Sequence, residues 1–110
     1  MKNNKDSILT SLDAAATAVY TSDSFVLEGC FGYSIHGKWT KVGGTLGGTF
    51  KTFKSNNGTY WIEVGTTNIA DASGNKEYEV ADAMYRYVKF VCTLTGGSAT
   101  LQVESFFKGF

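Results

Sequence analysis

Few residues in this sequence could do chemistry, and their spacing assembles none of the usual sites. His36 is the single histidine. It alternates with Ser34 and Lys38, so it belongs to a polar strand face. No cysteine or carboxylate stands at ligand spacing around it, and no metal site is expected. Glu77 and Glu79 alternate on one side of a short run, which paired acid–base work could use. Charges so placed more often guard an exposed sheet edge. Serines are plentiful, but no nucleophile motif surrounds one, so a Ser-His-Asp arrangement has no support. Gly43-Gly44 and Gly47-Gly48 are followed by neither Lys-Ser/Thr nor a helix, which excludes a phosphate loop. Cys30 and Cys92 are too few for a disulfide framework and too far apart for a CxxC site. Each lies in an apolar run, as a reduced thiol acting as a small hydrophobe would. No catalytic, cofactor-binding or metal-ligating residue is expected, and no cofactor.

The elements that must position these residues are strands. From Tyr33 to Trp39 the odd positions are Tyr, Ile, Gly and Trp and the even ones Ser, His and Lys. Tyr33, Ile35 and Trp39 therefore face inward. Val88, Phe90, Cys92 and Leu94 share one face against Tyr87, Lys89, Val91 and Thr93. Ala99, Leu101, Val103 and Ser105 share another against Thr100, Gln102 and Glu104. Thr95-Gly96-Gly97-Ser98 between these two runs predicts a hairpin turn. Shorter strands are expected at 17–21 and 24–31, with Asp23 in the break, and at 49–54, 60–64, 66–70 and 77–80. Turns fall at 55–58 and 71–75. Gly43 to Gly48 predicts a loop or a bulged strand. On the 49–54 strand Thr52 and Lys54 share the row of Phe50, which implies either an edge position or a bulge. The whole is an all-β, antiparallel β-sandwich, jelly-roll-like, of about eight strands.

The chain has 110 residues, 43% of them hydrophobic and 18% charged, which suits one globular domain able to fold without metal or disulfide. Ten acidic residues balance ten basic ones. That neutrality removes the long-range attraction that nucleic acid or an anionic membrane requires, and neither is expected as a partner. No apolar run is long enough for a membrane-spanning helix or for a signal peptide, so synthesis in a cytosol, free thiols and an unused Asn57-Gly58-Thr59 sequon are expected. Residues 1–16 are polar but for Ile8, Leu9 and Leu12. They are expected to form an arm, separate from a sandwich over 17–110, that orders on a neighbouring subunit; the alternative is that they fold back as the first element of the chain's own sandwich.

Several consecutive blocks carry a resemblance. Phe25-Val26-Leu27-Glu28-Gly29-Cys30-Phe31-Gly32-Tyr33-Ser34-Ile35, His36-Gly37-Lys38-Trp39-Thr40, Gly48-Thr49-Phe50-Lys51, Ser55-Asn56-Asn57-Gly58-Thr59-Tyr60-Trp61 and Tyr85-Arg86-Tyr87-Val88-Lys89-Phe90-Val91 with Thr95-Gly96-Gly97-Ser98-Ala99-Thr100-Leu101 follow in order. Together they resemble a small β-sandwich module recurrent in structural proteins of bacteriophages, over most of the chain. The Ser-Asn-x-Gly-x-x-Trp turn also resembles that of discoidin-like and carbohydrate-binding sandwiches. Asn57 stands where those have Asp, a change that keeps the Asx-turn bonds. The resemblance implies a non-enzymatic virion component: a decoration, cement or connecting protein that contacts copies of itself and other virion proteins such as the major capsid protein.

Aromatic residues supply the remaining signal, at 15% of the chain. Trp39, Trp61 and Phe90 suffice for a core, leaving Phe53, Tyr60, Tyr85, Tyr87, Phe106 and Phe110 as surplus. Surplus aromatics on strands mark a contact surface. Their spread favours protein contact, so the expected interface residues are Ile8, Leu9, Leu12, Phe53, Tyr85, Tyr87, Phe106 and Phe110. The alternative is a carbohydrate-binding module, as on a tail fibre, stacking glycan on Tyr60 and Tyr85 or Tyr87. A hydrolytic enzyme is the third and weakest reading.

Overall fold

Period-two alternation with one face buried permits only extended backbone, and most of the described residues are in strands. The computed structural model describes residues 4–16, 18–27, 30–80 and 85–109. The strands are β1 (Asn4–Asp13), β2 (Val19–Thr21), β3 (Phe25–Val26), β4 (Cys30–Ser55), β5 (Ile62–Ile69), β6 (Gly74–Val80) and β7 (Tyr87–Gly109). All pairings are antiparallel.

Two long strands, β4 with 26 residues and β7 with 23, run side by side, and each serves two layers. The first layer orders β1, residues 98–109 of β7, residues 30–41 of β4, and β6. The second orders β2 and β3 in succession, residues 87–94 of β7, residues 48–55 of β4, and β5. The fold is a β-sandwich, and the described strands number seven because β4 and β7 each do the work of two.

The inward rows are the expected ones. Tyr33, Ile35, Trp39, Phe50, Val88, Phe90, Cys92, Leu94, Leu101, Val103 and Phe107 are all buried. The layers lock through aromatic contacts. Phe50 packs on Trp39 at 6.3 Å and on Tyr78 at 5.9 Å, and Phe25 packs on Phe107 at 5.0 Å. Gly37 makes room for Phe50: a Cβ there would lie 2.7 Å from its ring.

No hairpin forms at 95–98. β7 continues through these residues and bends together with β4 where the chain passes from one layer to the other. The reason is that glycine's freedom serves a corner as well as it serves a turn. Gly97 has φ +72° and Gly44 φ +71°. Gly48, at φ +152°, sits so close to β7 that a Cβ would collide with the Thr93 carbonyl oxygen. The glycine run of β4 is thus a bulged strand, with register shifts at Lys41/Gly43, Gly43/Gly47 and Gly47/Gly48. Asp71, in the β5–β6 turn, clamps the corner from outside. Its carboxylate accepts the Leu46 N–H at 2.8 Å and pairs with Lys41 at 2.7 Å.

The N-terminal segment departs from the expected arm. Residues 4–13 are a strand of the sheet, in unbroken register from Asn4↔Phe107 to Asp13↔Ser98. Ile8, Thr10 and Leu12 alternate toward the interior, and Leu12 is buried in the core. Three apolar groups that cannot make a core can complete one. The 49–54 strand is central, between β5 and β7. The irregularity there lies in the β5 pairing, where Val64 is passed over between Thr52↔Gly65 and Phe53↔Glu63. Thr52 is fully buried.

Candidate functional site

Three exposed features could meet a partner. The first is the outer face of the second layer. Phe53 and Lys89 are opposite residues of β4 and β7, and Tyr87 is opposite Val26 of β3. The Lys89 ammonium stands 4.3 Å from the Trp61 ring centroid and 5.8 Å from that of Phe53. Trp61, expected in the core, is half-buried on this outer face, because residue 61 continues the outward row of Glu63. Lys51 and Glu63 pair beside it at 3.3 Å. Val19 and Val26 extend the apolar surface across β2 and β3, each about half exposed.

The second feature is a cleft of about 380 Å³ at the end of the sandwich, lined by Lys54, Asn56, Asn57, Tyr60, Ile62 and Tyr85. The predicted turn builds one wall. Ser55 Oγ accepts from the N–H groups of Asn57 and Gly58, and Asn57 Oδ1 accepts from those of Thr59 and Tyr60, at 2.9–3.3 Å. Gly58 takes the left-handed φ of +75° that closes the turn. This leaves Tyr60 projecting, 77% exposed, with Ile62 beside it. Tyr85 forms the other wall. Its hydroxyl shares a 2.6 Å hydrogen bond with that of Tyr33, and Lys54 lies 5.2 Å from its ring centroid. Burial, then that hydrogen bond and the neighbouring Tyr85, hold the Tyr33 hydroxyl far above the usual phenol range, so it stays protonated.

The third feature is the polar outer face of the first layer. Here Phe106 is exposed beside a cleft of about 310 Å³ that Ser34, Glu77, Glu79 and Lys108 also line. His36 stands in register between Glu104 of β7 and Glu77 of β6. Among the described residues no group of three or more His, Cys, Asp or Glu could hold a metal ion, and no helix is long and apolar enough to cross a membrane.

The residues expected at an interface are dispersed. Phe53 and Tyr87 share the outer face of the second layer, Tyr85 lines the end cleft, and Phe106 lies on the outer face of the first layer. Leu9 is exposed on β1, Ile8 packs partly against the core, and Leu12 is buried in the chain's own core and unavailable to a partner. Phe110 and the Cys30 thiol lie outside the described residues. Sequence reasoning missed Val19, Val26 and Ile62 as surface groups. Ile62 lies on the inward row with Lys54 and is exposed because that row opens into the end cleft, which parity cannot show, and strands as short as β2 and β3 carry too few residues to show a parity.

No protein-family model matches the sequence. No curated protein matches it either. Solved structures do share the fold. The PBSX exported protein XepA superposes with a TM-score of 0.71 at 16% identity, over 97% of this chain and 37% of its own. A protein of Bacillus endospore appendages, which form disulfide-linked pili, does so with a TM-score of 0.53 at 11% identity over 99% and 90%. PirA does so with a TM-score of 0.56 at 13% identity over 91% and 92%. This chain thus spans little more than a third of the XepA chain, and at these identities the likeness is one of fold.

Proposed function

We propose that this chain is a non-enzymatic structural module of a bacteriophage virion, made in the host cytoplasm and assembled through contacts with copies of itself and with other virion proteins such as the major capsid protein. The observation that carries this reading is where the apolar surface lies. Leu9, Val19, Val26, Tyr60, Ile62 and Phe106 are exposed on the β1 edge, both outer faces and one end. Large exposed apolar groups distributed around a small domain suit a subunit with several neighbours, and many weak contacts multiply in an array. Structural neighbours that include a phage-derived exported protein and a protein of spore-appendage pili are consistent with such a role. The zero net charge agrees with partners that are protein and not nucleic acid.

Val19→Lys with Val26→Lys tests the reading, because both side chains are exposed and the fold should tolerate the change. The double variant should keep its melting temperature within a few degrees and lose incorporation into particles. Incorporation at the level of the unsubstituted chain would contradict the role given to this face.

One observation favours a second reading. The end cleft gathers Tyr60 and Tyr85 beside the amides of Asn56 and Asn57, the combination that stacks and hydrogen-bonds a sugar ring. Glycan-array binding that disappears in Tyr60→Ala, with particle incorporation unchanged, would establish that reading in place of the first.

A further inference from the structure

A sandwich has four edges, and three of these carry a device that blocks further pairing. β6 presents Lys76, Glu77 and Glu79, all exposed. β5 is bulged at Val64. β2 and β3 are three and two residues long and are interrupted between Thr21 and Phe25. Charge, bulges and brevity are how sheet edges avoid one another. β1 is neither short nor bulged, and its charged residues, Lys5, Asp6 and Asp13, stand only toward its ends. It runs for ten residues in unbroken register against β7, pairs with no other strand among the described residues, contains no proline and bears no charge from residue 7 to 12. At its centre Leu9 is 72% exposed.

The backbone fixes which groups this edge offers. Ala14 N–H donates to the Gly97 carbonyl at 3.0 Å, one step past Asp13↔Ser98. Even-numbered residues of β1 therefore turn their polar backbone groups toward β7, and odd-numbered ones such as Leu9 turn theirs outward. The Asp13 carbonyl points away from β7 accordingly and accepts from Ala16 N–H.

We propose that two copies of this chain associate edge to edge through β1, antiparallel about a two-fold axis at Leu9, so that their first layers become one continuous sheet. A two-fold contact must be self-complementary, and this register is. Antiparallel partners share a face, so Leu9 meets Leu9 of the second copy, with the backbone groups of the two residues bonded to each other. Residue 5, a lysine, comes opposite residue 13 of the second copy, an aspartate, and the same pair recurs at the other end. Ile8 comes opposite Thr10 on the inner side. The purpose of this contact, though not its existence, rests on the assembly role proposed above.

Sedimentation velocity of the full chain over a range of concentrations tests the pairing. The unsubstituted chain should move toward dimer as concentration rises. Leu9→Lys puts like charges opposite each other on the axis and should weaken the dimer about tenfold or more, with the melting temperature unchanged. Register is read by cross-linking in a Cys30→Ser background. Leu9→Cys should be joined between chains by a short bifunctional thiol reagent, since directly opposed residues of a hydrogen-bonded pair lie about 5.5 Å apart. Ser11→Cys should not, because its counterpart lies four residues along, about 13 Å away. A chain monomeric at every concentration, a Leu9→Lys variant as dimeric as the original, or equal cross-linking at positions 9 and 11 would overturn the proposal. A monomer that still enters particles would overturn the pairing and leave the assembly role standing. A dimer of this register that never enters particles would support the pairing and overturn that role.

Discussion

Trp39 and His36 sit three residues apart on one strand and illustrate how sharply parity divides roles. Trp39 is buried, packed on Phe50 and lying over Gly74. Truncating such an aromatic costs about 3–5 kcal/mol, so Trp39→Ala should lower the melting temperature steeply while His36→Ala changes it little. Equal losses in thermal denaturation would reverse the face assignment. Thr52 makes the opposite case. It is fully buried, and its Oγ1 is the buried side-chain polar atom that lacks a hydrogen-bond partner among the described residues. Valine keeps the shape and removes the stranded hydroxyl. Thr52→Val should therefore stabilise by about 1 kcal/mol, roughly 4 °C in melting temperature, and a loss of stability would mean that the hydroxyl is satisfied after all. Cys92 is a free thiol, and burial pushes its pKa up to about 11. The native state holds this proton where an unfolded thiol would release it. Stability is therefore complete below the ordinary thiol range and declines above about pH 9, at up to roughly 1.4 kcal/mol per pH unit from this group. Replacing Cys92 with alanine should flatten the alkaline side of the stability curve, and an unchanged slope would contradict the assignment. These inward residues were legible because long alternating runs report parity directly. Trp61 was not, since hydrophobicity alone cannot distinguish a core ring from one that lies under a lysine on an outer face.

At the scale of elements, glycine explains the main difference between sequence and structure. Gly-Gly between two alternating runs has the same composition whether the chain reverses or bends, and only the partner strand distinguishes the two. Here β4 carries its own glycines opposite those of β7, so both strands turn the corner together. The demand on each position differs. Gly48→Ala would force a Cβ onto the Thr93 carbonyl at positive φ and should prevent folding or lower the melting temperature drastically. Gly43, with ordinary φ and 3.7 Å of clearance to Ser98 Oγ, should tolerate alanine. Similar melting temperatures for the two variants would show that the corner is placed wrongly. β1 was illegible for a related reason: its ten residues hold only three large apolar groups, too few to signal a strand until β7 supplies the face they complete. Because Leu12 is buried and the whole of β1 is paired, deleting residues 1–13 should destabilise the isolated chain strongly. A truncated chain that melts with the full one would restore the free arm.

The whole molecule is an elongated sandwich, 44 Å long and 18 Å through its thinnest direction, with exposed apolar groups on several sides and one sheet edge left unguarded. The sequence foreshadowed the surplus of aromatics but not their distribution. Only the fold sends Phe53 and Tyr87 to one face, Phe106 to the other and Tyr85 to the end cleft. That dispersal suits the proposed subunit better than a receptor for one small ligand, and it is why the assembly role is proposed first. Its most direct test is quantitative mass spectrometry of density-purified particles from cells that produce this chain. The account predicts many copies per particle, in a fixed ratio to the major capsid protein and retained through repeated purification. Particles that carry less than one copy each, with the chain recovered free in the supernatant, would contradict it.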